Sequence, residues 1–350
     1  MARGRSVDLA SIHQSLRFIQ GKAVTRKFSS IIFVLTILLP ASPCLSQEPV
    51  KVRASVVTKT FGFGPVWVAL KQGFFAQQKL DVEVLVIRGS DVSTQALAGG
   101  SLQVSGASSD APIGAIEHGL DMAIIGGIIN GLSQYLMAGK NYKTYEDLRG
   151  GTLGANSLTA GTAFALRRVL KAKGLEYPRD YKLINVGGSP QAFAALAAGQ
   201  IAAAPLSLPL NYAAEEQGFN TIGRFIDVMP HYQLSVYAVR RSWAEENRPV
   251  VVRFMKAIAL ASRWLYSNKE AAIDLLAKEM RLKPAHARKG WDFYTEKGLW
   301  NPNGDVTFEG LQVVAQIYAE QTQAKGPLPN PAKYVDQSYL KEALKELPSR

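Results

Sequence analysis

Between residues 148 and 174 the chain reads LRGGTLGANSLTAGTAFALRRVLKAKG, and its polar residues are of types that hold a ligand rather than cut one. Asn156, Ser157, Thr159 and Thr162 fall in a small-residue loop between a short strand at 152–155 and a helix that opens near Gly161 and Thr162. Small hydroxyl residues at such a point can cap the unpaired amides of a first turn. Arg167, Arg168, Lys171 and Lys173 lie in the second half of the helix, and Gly174 is placed to take the left-handed cap position. The start is left with free N–H donors, a positive dipole end and unshielded hydroxyls, an arrangement that binds anions or polar head groups. Two readings stand side by side: these hydroxyls cap a helix, or they also meet a ligand.

Other chemistries find little support. Cys44 is the single cysteine, and it lies in an N-terminal segment that reads as a leader, so the remainder has no disulfide, thiol nucleophile or thiolate metal site. His118, His231 and His286 are not spaced as ligands on one helix face, and no metal or other cofactor is expected. Asp110 reads as a helix cap, no Ser–His–Asp order emerges, and Gly187-Gly188-Ser189 is too short for a phosphate loop. Lys59 and Arg88 are loop cations that could give an anion a full charge, or simply face water.

The elements that must position these residues follow from the order of the chain. Residues 1–46 carry a basic head, an uncharged run at 29–39 (SSIIFVLTILL) and a small-residue end, the pattern of an export signal and too short to span a membrane comfortably. Pro43 before Cys44 argues against a lipid anchor there. Without the six basic residues and one acidic residue of this segment, the formal charge of +12 falls to +7. That charge is spread without aromatic–basic clusters, so nucleic acid is not an expected partner. At 350 residues, 47% hydrophobic and 19% charged, the chain can build two domains with real cores.

Strands are expected at 51–57, 80–87, 102–107 and 122–126, separated by short helices. Pro65 opens the first helix and Gly73 ends it. Alternation at this pace predicts a parallel sheet with helices on both faces and a ligand beyond the carboxyl ends of the strands. Residues 126–143, interrupted by glycine and asparagine, read as a crossover into a second domain, where 181–186 and 201–206 repeat the theme. Strands at 221–228 and 233–239 carry the chain back. Beyond Ser242, which makes a capping box with Glu245, the pattern is helical.

Gly73-Phe74-Phe75 followed by Leu80-Asp81-Val82-Glu83-Val84, then Ala96-Leu97-Ala98-Gly99-Gly100 and Gly119-Leu120-Asp121, resembles the solute-binding proteins of the nitrate, sulfonate and taurine class of bacterial ABC importers. That class includes thiamine-pyrimidine binders. Leu148-Arg149-Gly150 and residues 191–200 (QAFAALAAGQ) continue the likeness over nearly all of the chain beyond the leader. Lys79, Gln103 and Ala202 depart from the family's usual Gly, Asp and Asp at positions that brace strands and hinge. The resemblance implies an α/β, two-lobed periplasmic-binding-protein fold of type II with two crossover strands. It places lobe 1 at 47–142 and 229–350, with the C-terminal helices, and lobe 2 at 143–228. It also implies an exported, periplasmic, monomeric protein that clasps a small-molecule ligand and passes it to an ABC permease in the membrane.

If two lobes face each other, the loops that follow strands become candidate ligand contacts. These are Thr60, Phe61 and Gly62 after the first strand, Ser108 and Ser109 after the third, and Asn130 and Gly131 at the first crossover. The second lobe adds Asn156, Ser157, Thr159, Gly161 and Thr162, then Gly188 and Ser207. Caps and tight turns explain the same residues, and Phe61 either stacks on a flat ligand or pins its loop. The expected function is capture of a small anionic or polar organic molecule. An enzyme akin to the thiamine-pyrimidine synthases and a periplasmic sensor subunit are the alternatives.

Overall fold

The computed structural model describes residues 48–158, 162–323 and 330–347. The alternation at the start of this span becomes β1 (Val50–Val56), in which Val52, Ala54 and Val56 are buried while Lys51 and Arg53 face water. It is followed by α1 (Gly64–Lys71), with proline in its first turn, α2 (Phe74–Gln77), β2 (Leu80–Val86), α3 (Ser90–Ala98), β3 (Val104–Ser108), α4 (Asp110–Glu117) and β4 (Met122–Ile129). All eight residues of β4 are buried, as its unbroken apolar run requires. The chain then builds β5 (Gln134–Ala138), β6 (Thr152–Ala155), α5 (Thr162–Ala172), β7 (Lys182–Asn185), α6 (Ser189–Ala197), β8 (Ala203–Ser207), α7 (Leu210–Glu216) and β9 (Asn220–Arg224), and returns through β10 (Ser235–Arg240). The order is β2-β1-β3-β10-β4 in the first sheet and β7-β6-β8-β5-β9 in the second. Each sheet with its helices forms one lobe.

Neither sheet is wholly parallel. β1 pairs in parallel with β2 and β3, and β6 with β7 and β8, but β10 and β5 run antiparallel to both of their neighbours. The reason is topological. β4 ends where the chain leaves for the other lobe, so β5 starts at the end of the second sheet nearest the crossover and runs away from it. β10 does the same on the way back. β5, absent from the expected strands, lies within 47–142 yet belongs to the second sheet, so the chain changes sheets at 130–133. The strand expected at 221–228 stops at Arg224 and continues as a 3-10 turn, Phe225–Asp227.

The C-terminal helices are α8 (Arg241–Glu246), α9 (Arg248–Ser267), α10 (Lys269–Met280), α11 (Pro284–Glu296), α12 (Phe308–Thr322) and α13 (Ser338–Lys345). α9 buries Val251, Phe254, Met255, Ile258, Ala261 and Leu265 along one face and packs against α1, α2 and α13. The expected capping box is absent: α8 has no side-chain cap, and Ser242 N donates instead to Asp121 Oδ2 at 3.0 Å. Among the described residues no helix is long and apolar enough to cross a membrane.

Trp300 ties the loop after β1 to this helical half. It is fully buried, its ring lies 5.3 Å from that of Phe61 and 4.6 Å from that of Tyr294, and its Nε1 donates to the Gly62 carbonyl at 2.9 Å. Trp300→Phe removes that donor and leaves a buried carbonyl unpaired, so chemical denaturation should register a loss of about 1–3 kcal/mol.

In the second lobe Asp180 accepts from Arg179 Nη2 (2.8 Å), from the Glu176 amide (2.8 Å) and from Arg149 Nη1 (2.5 Å). The Arg179 hydrogen bond first, then the amide and the Arg149 charge, hold its carboxyl well below the ordinary value of 3.8. A depressed native pKa stabilises the fold above the unfolded value and ceases to do so as pH falls through the native one. Asp180→Asn should therefore lower the melting temperature at pH 7 and flatten the acid limb of the stability curve below about pH 4. Parallel curves for the two proteins would remove Asp180 from the acid response.

Candidate functional site

Where the two sheets approach each other, a cavity of about 50 Å³ lies at the carboxyl ends of β3, β4, β6 and β8 and just beyond the end of β1. Its first-lobe wall includes Thr58, Thr60, Phe63, Ser90, Ser108 and Ser235; its second-lobe wall includes Gln134, Asn156, Thr162, Gly188, Ser189 and Ser207. Ser90, Thr162 and Ser189 are the first residues of α3, α5 and α6. None of the lining residues among those described carries a formal charge.

Both walls are fixed by the same device. In the first lobe Ser90 Oγ accepts from the Ser108 amide at 3.2 Å and from Ser108 Oγ at 2.7 Å. In the second, Ser189 Oγ accepts from the Ser207 amide at 2.9 Å and donates to Ser207 Oγ at 3.1 Å. Each pair joins the start of a helix to the end of the following strand. Behind the first pair, Ser93 bridges Ser55 and Ser105 with two bonds of 2.7 Å, so α3 is held to β1 and β3 by buried hydroxyls.

Near the expected working stretch, β6 and α5 form at 152–155 and from Thr162, and Gly174 takes a left-handed φ of 83° past the helix end. Thr162 Oγ1 donates to Asn156 Oδ1 at 2.9 Å, closing the loop. Ser157 is buried and donates to Asp91 Oδ2 at 3.0 Å, which ties this loop to α3 of the other lobe. Thr159 and Gly161 lie outside the described residues. Gly188 sits against Thr58 so closely that a Cβ there would overlap the Thr58 hydroxyl.

Of the residues singled out from sequence, Thr60, Ser108, Asn156, Thr162, Gly188 and Ser207 line the cavity. Others are placed elsewhere by packing. Phe61 is buried between Tyr294 and Trp300, so it pins its loop. Gly62 lets that loop press on Ile129 and Tyr294, where a side chain would collide. Ser109 donates to the Gln233 carbonyl. Asn130 Nδ2 donates to the Asp305 carbonyl at 2.9 Å while its Oδ1 accepts from Gln233 Nε2 at 2.8 Å. Gly131, at φ 148°, faces Leu299. The crossover residues thus brace the hinge against the C-terminal segment.

The cations also find other partners. Lys59 pairs with Glu279 at 2.8 Å and lies over the Trp67 ring, and Arg88 is exposed. His118 Nδ1 donates to the Gly114 carbonyl, His231 meets Glu309 at 3.3 Å and His286 meets Glu216 at 2.7 Å. No group of three potential metal-binding side chains occurs among the described residues. Tyr294, whose phenol burial pushes up in pKa, bonds Ser133 Oγ at 2.7 Å beside the crossover.

Ser90, Ser189 and Gln134 were not among the sequence candidates. The two serines had a legible signal, a glycine–serine pair opening a helix directly after a strand. Gln134 had none, because β5 itself was hidden in a glycine-interrupted stretch.

Solved structures share this fold. A protein of Bordetella bronchiseptica RB50 superposes with a TM-score of 0.70 at 21% identity, over 85% of this chain and 97% of its own. The alkanesulfonate-binding protein SsuA of Xanthomonas axonopodis pv. citri, bound to MOPS, gives 0.67 at 20% identity over 82% and 98%. The periplasmic nitrate-binding protein NrtA of Synechocystis PCC 6803 gives 0.68 at 17% over 86% and 89%. In sequence, YtlA of Bacillus subtilis (strain 168) is 22% identical over 240 residues, 66% of this chain and 71% of that protein. Identities this low speak to architecture. The NMT1/THI5-like family profile matches residues 60–272, more than half of the sequence, and the chain belongs to that family.

Proposed function

We propose that the protein is the extracytoplasmic solute-binding component of an ABC importer, capturing a small anionic or polar organic molecule between its lobes for delivery to a membrane permease. In this reading residues 1–46 direct export to the periplasm, and the mature protein acts as a monomer. Lobe 1 comprises 47–142 and 229–350 apart from β5, which pairs in the second sheet, and lobe 2 comprises 143–228.

One observation carries the reading: the cavity is built from the first residues of three helices and the ends of strands from both sheets. Helix starts supply unpaired N–H donors and a positive dipole end, each contributing roughly 0.3–1 kcal/mol toward a negative or electron-rich group, and more when buried. Contacts from both sides make binding and closure the same event. The ligands in the names of the fold neighbours, an alkanesulfonate and nitrate, are small molecules with electron-rich oxygens. Covalent catalysis would need a nucleophile with a base beside it, and general acid–base catalysis a titratable group at the reacting atom. The described lining has hydroxyls and amides but no histidine, carboxylate, lysine or cysteine, which favours capture over chemistry.

Thermal-shift measurements on the purified protein with sulfonates, nitrate, carboxylates and pyrimidines test this directly. A true ligand at a hundredfold excess over its Kd stabilises by about 2.7 kcal/mol, which for a protein of this size raises the midpoint by roughly 4 °C. Thr162→Asp, which sets a negative charge at the start of α5, and Gly188→Val, which wedges that loop off Thr58, should each abolish the shift while leaving a cooperative unfolding transition. A flat midpoint across the whole panel, together with no small molecule released on denaturation, would sink the proposal.

A further inference from the structure

Gln134 opens β5, the strand by which the chain enters the second sheet, and only 3% of it is exposed. It lines the cavity; its Nε2 donates to Ser207 Oγ at 3.3 Å, and its Oε1 is buried with no hydrogen-bond partner. A buried carbonyl oxygen is costly to leave unpaired, and such groups are almost always matched by protein, water or ligand. Beside it, Ser207 Oγ accepts from both Ser189 Oγ and Gln134 Nε2, which leaves its own proton to give. The wall therefore offers an acceptor and a donor side by side.

We infer that Gln134 is a specificity-determining residue of the cavity, and that the captured molecule presents an N–H or O–H donor to its Oε1. The ligand class is then an uncharged or zwitterionic polar organic molecule rather than a bare oxyanion. This rests on the binding role proposed above and narrows it. A bare oxyanion has only acceptors and would set its lone pairs against Oε1; the helix starts can draw an anion into the cavity but cannot turn that contact into a hydrogen bond. Turning the carboxamide over would offer an N–H to such an anion, and Ser207 would then have to donate to Oε1. The two orientations make opposite demands on a glutamate at this position, since a carboxylate keeps the acceptor and has no N–H.

Calorimetric titration of the purified protein with shape-matched pairs separates them: urea against nitrate, acetamide against acetate, methanesulfonamide against methanesulfonate. In at least one pair the amide member should bind roughly tenfold or more tightly than its oxyanion partner, the discrimination expected when a buried polar group is left unmatched. Gln134→Glu should keep that preference and Gln134→Leu should lose it, with both variants checked for an unchanged circular dichroism spectrum. Tighter binding of the oxyanions, loss of the preference in Gln134→Glu, or equal affinities in wild type and Gln134→Leu would overturn the inference. Silence from all six compounds would overturn it too, because the set presents the matching donor or acceptor with little else attached. None of these results touches the binding role itself, which stands or falls on the wider panel and on the molecule released by denaturation.

Discussion

A serine in the first turn of a helix takes the amide at the end of the next strand, and the chain makes this contact once in each sheet, across the same separation of 18 residues. The amides of Ser108 and Ser207 lie where their strands leave the sheet, beside the cavity, and buried N–H groups of this kind need a partner. By supplying it from Ser90 and Ser189, the chain holds the start of each helix against the end of each strand. The surrounding sequence keeps step: Gly89-Ser90, Leu97 and Gly100 in one lobe match Gly188-Ser189, Leu196 and Gly199 in the other. The lobes are two versions of one strand–helix–strand unit, and the cavity forms where their equivalent ends meet.

That geometry accounts for the character of the site. Strand ends and helix starts bring amides and hydroxyls, which bind polar groups without a net charge of their own. Lys59, between the lining residues Thr58 and Thr60, is held by Glu279, with Lys71 on the same carboxylate at 3.0 Å. Under the proposed function, binding here would rest on several short hydrogen bonds aligned at once rather than on one ion pair, and would be sensitive to which ends of a ligand donate and which accept.

Contacts between the lobes are individually modest and gather on the C-terminal segment, where Lys283 and the buried His286 both meet Glu216 of α7 and Lys289 lies over the Tyr212 ring. The Ser157–Asp91 bond and the Thr58–Gly188 approach lie beside the cavity, and between α5 and α12 Arg167 meets Gln321 at 3.2 Å and Arg168 meets Glu320 at 2.9 Å, the latter two side chains 41% exposed. A solvated pair of this sort contributes no more than about 1 kcal/mol. Contacts that are each modest suit the proposed clasp, since a molecule shifts a two-state balance only by its difference in affinity for the two states. The hinge is braced as well: Gln233 bonds the Ile129 carbonyl in the interior, and half-buried hydrogen bonds join it through Asn130 to the backbone at Asp305.

The sequence by itself determined what depends on near neighbours. Valine alternation made β1, small residues and glycine stops bounded β6 and α5, and the alternation of strands with helices placed candidate loops at strand ends, which is why Thr60, Ser108, Asn156, Thr162, Gly188 and Ser207 were found before any geometry. Only tertiary structure decided the direction of β5 and β10, because that follows from which lobe the chain has just left. It also sorted look-alike loop residues, sending Phe61 to Trp300, Asn130 to Asp305 and Lys59 to Glu279, partners far away in the chain. Gln134 could be proposed as a binding group for the same reason: its oxygen is unmatched, and a missing partner can be seen only when every neighbour, near and distant in sequence, is in place.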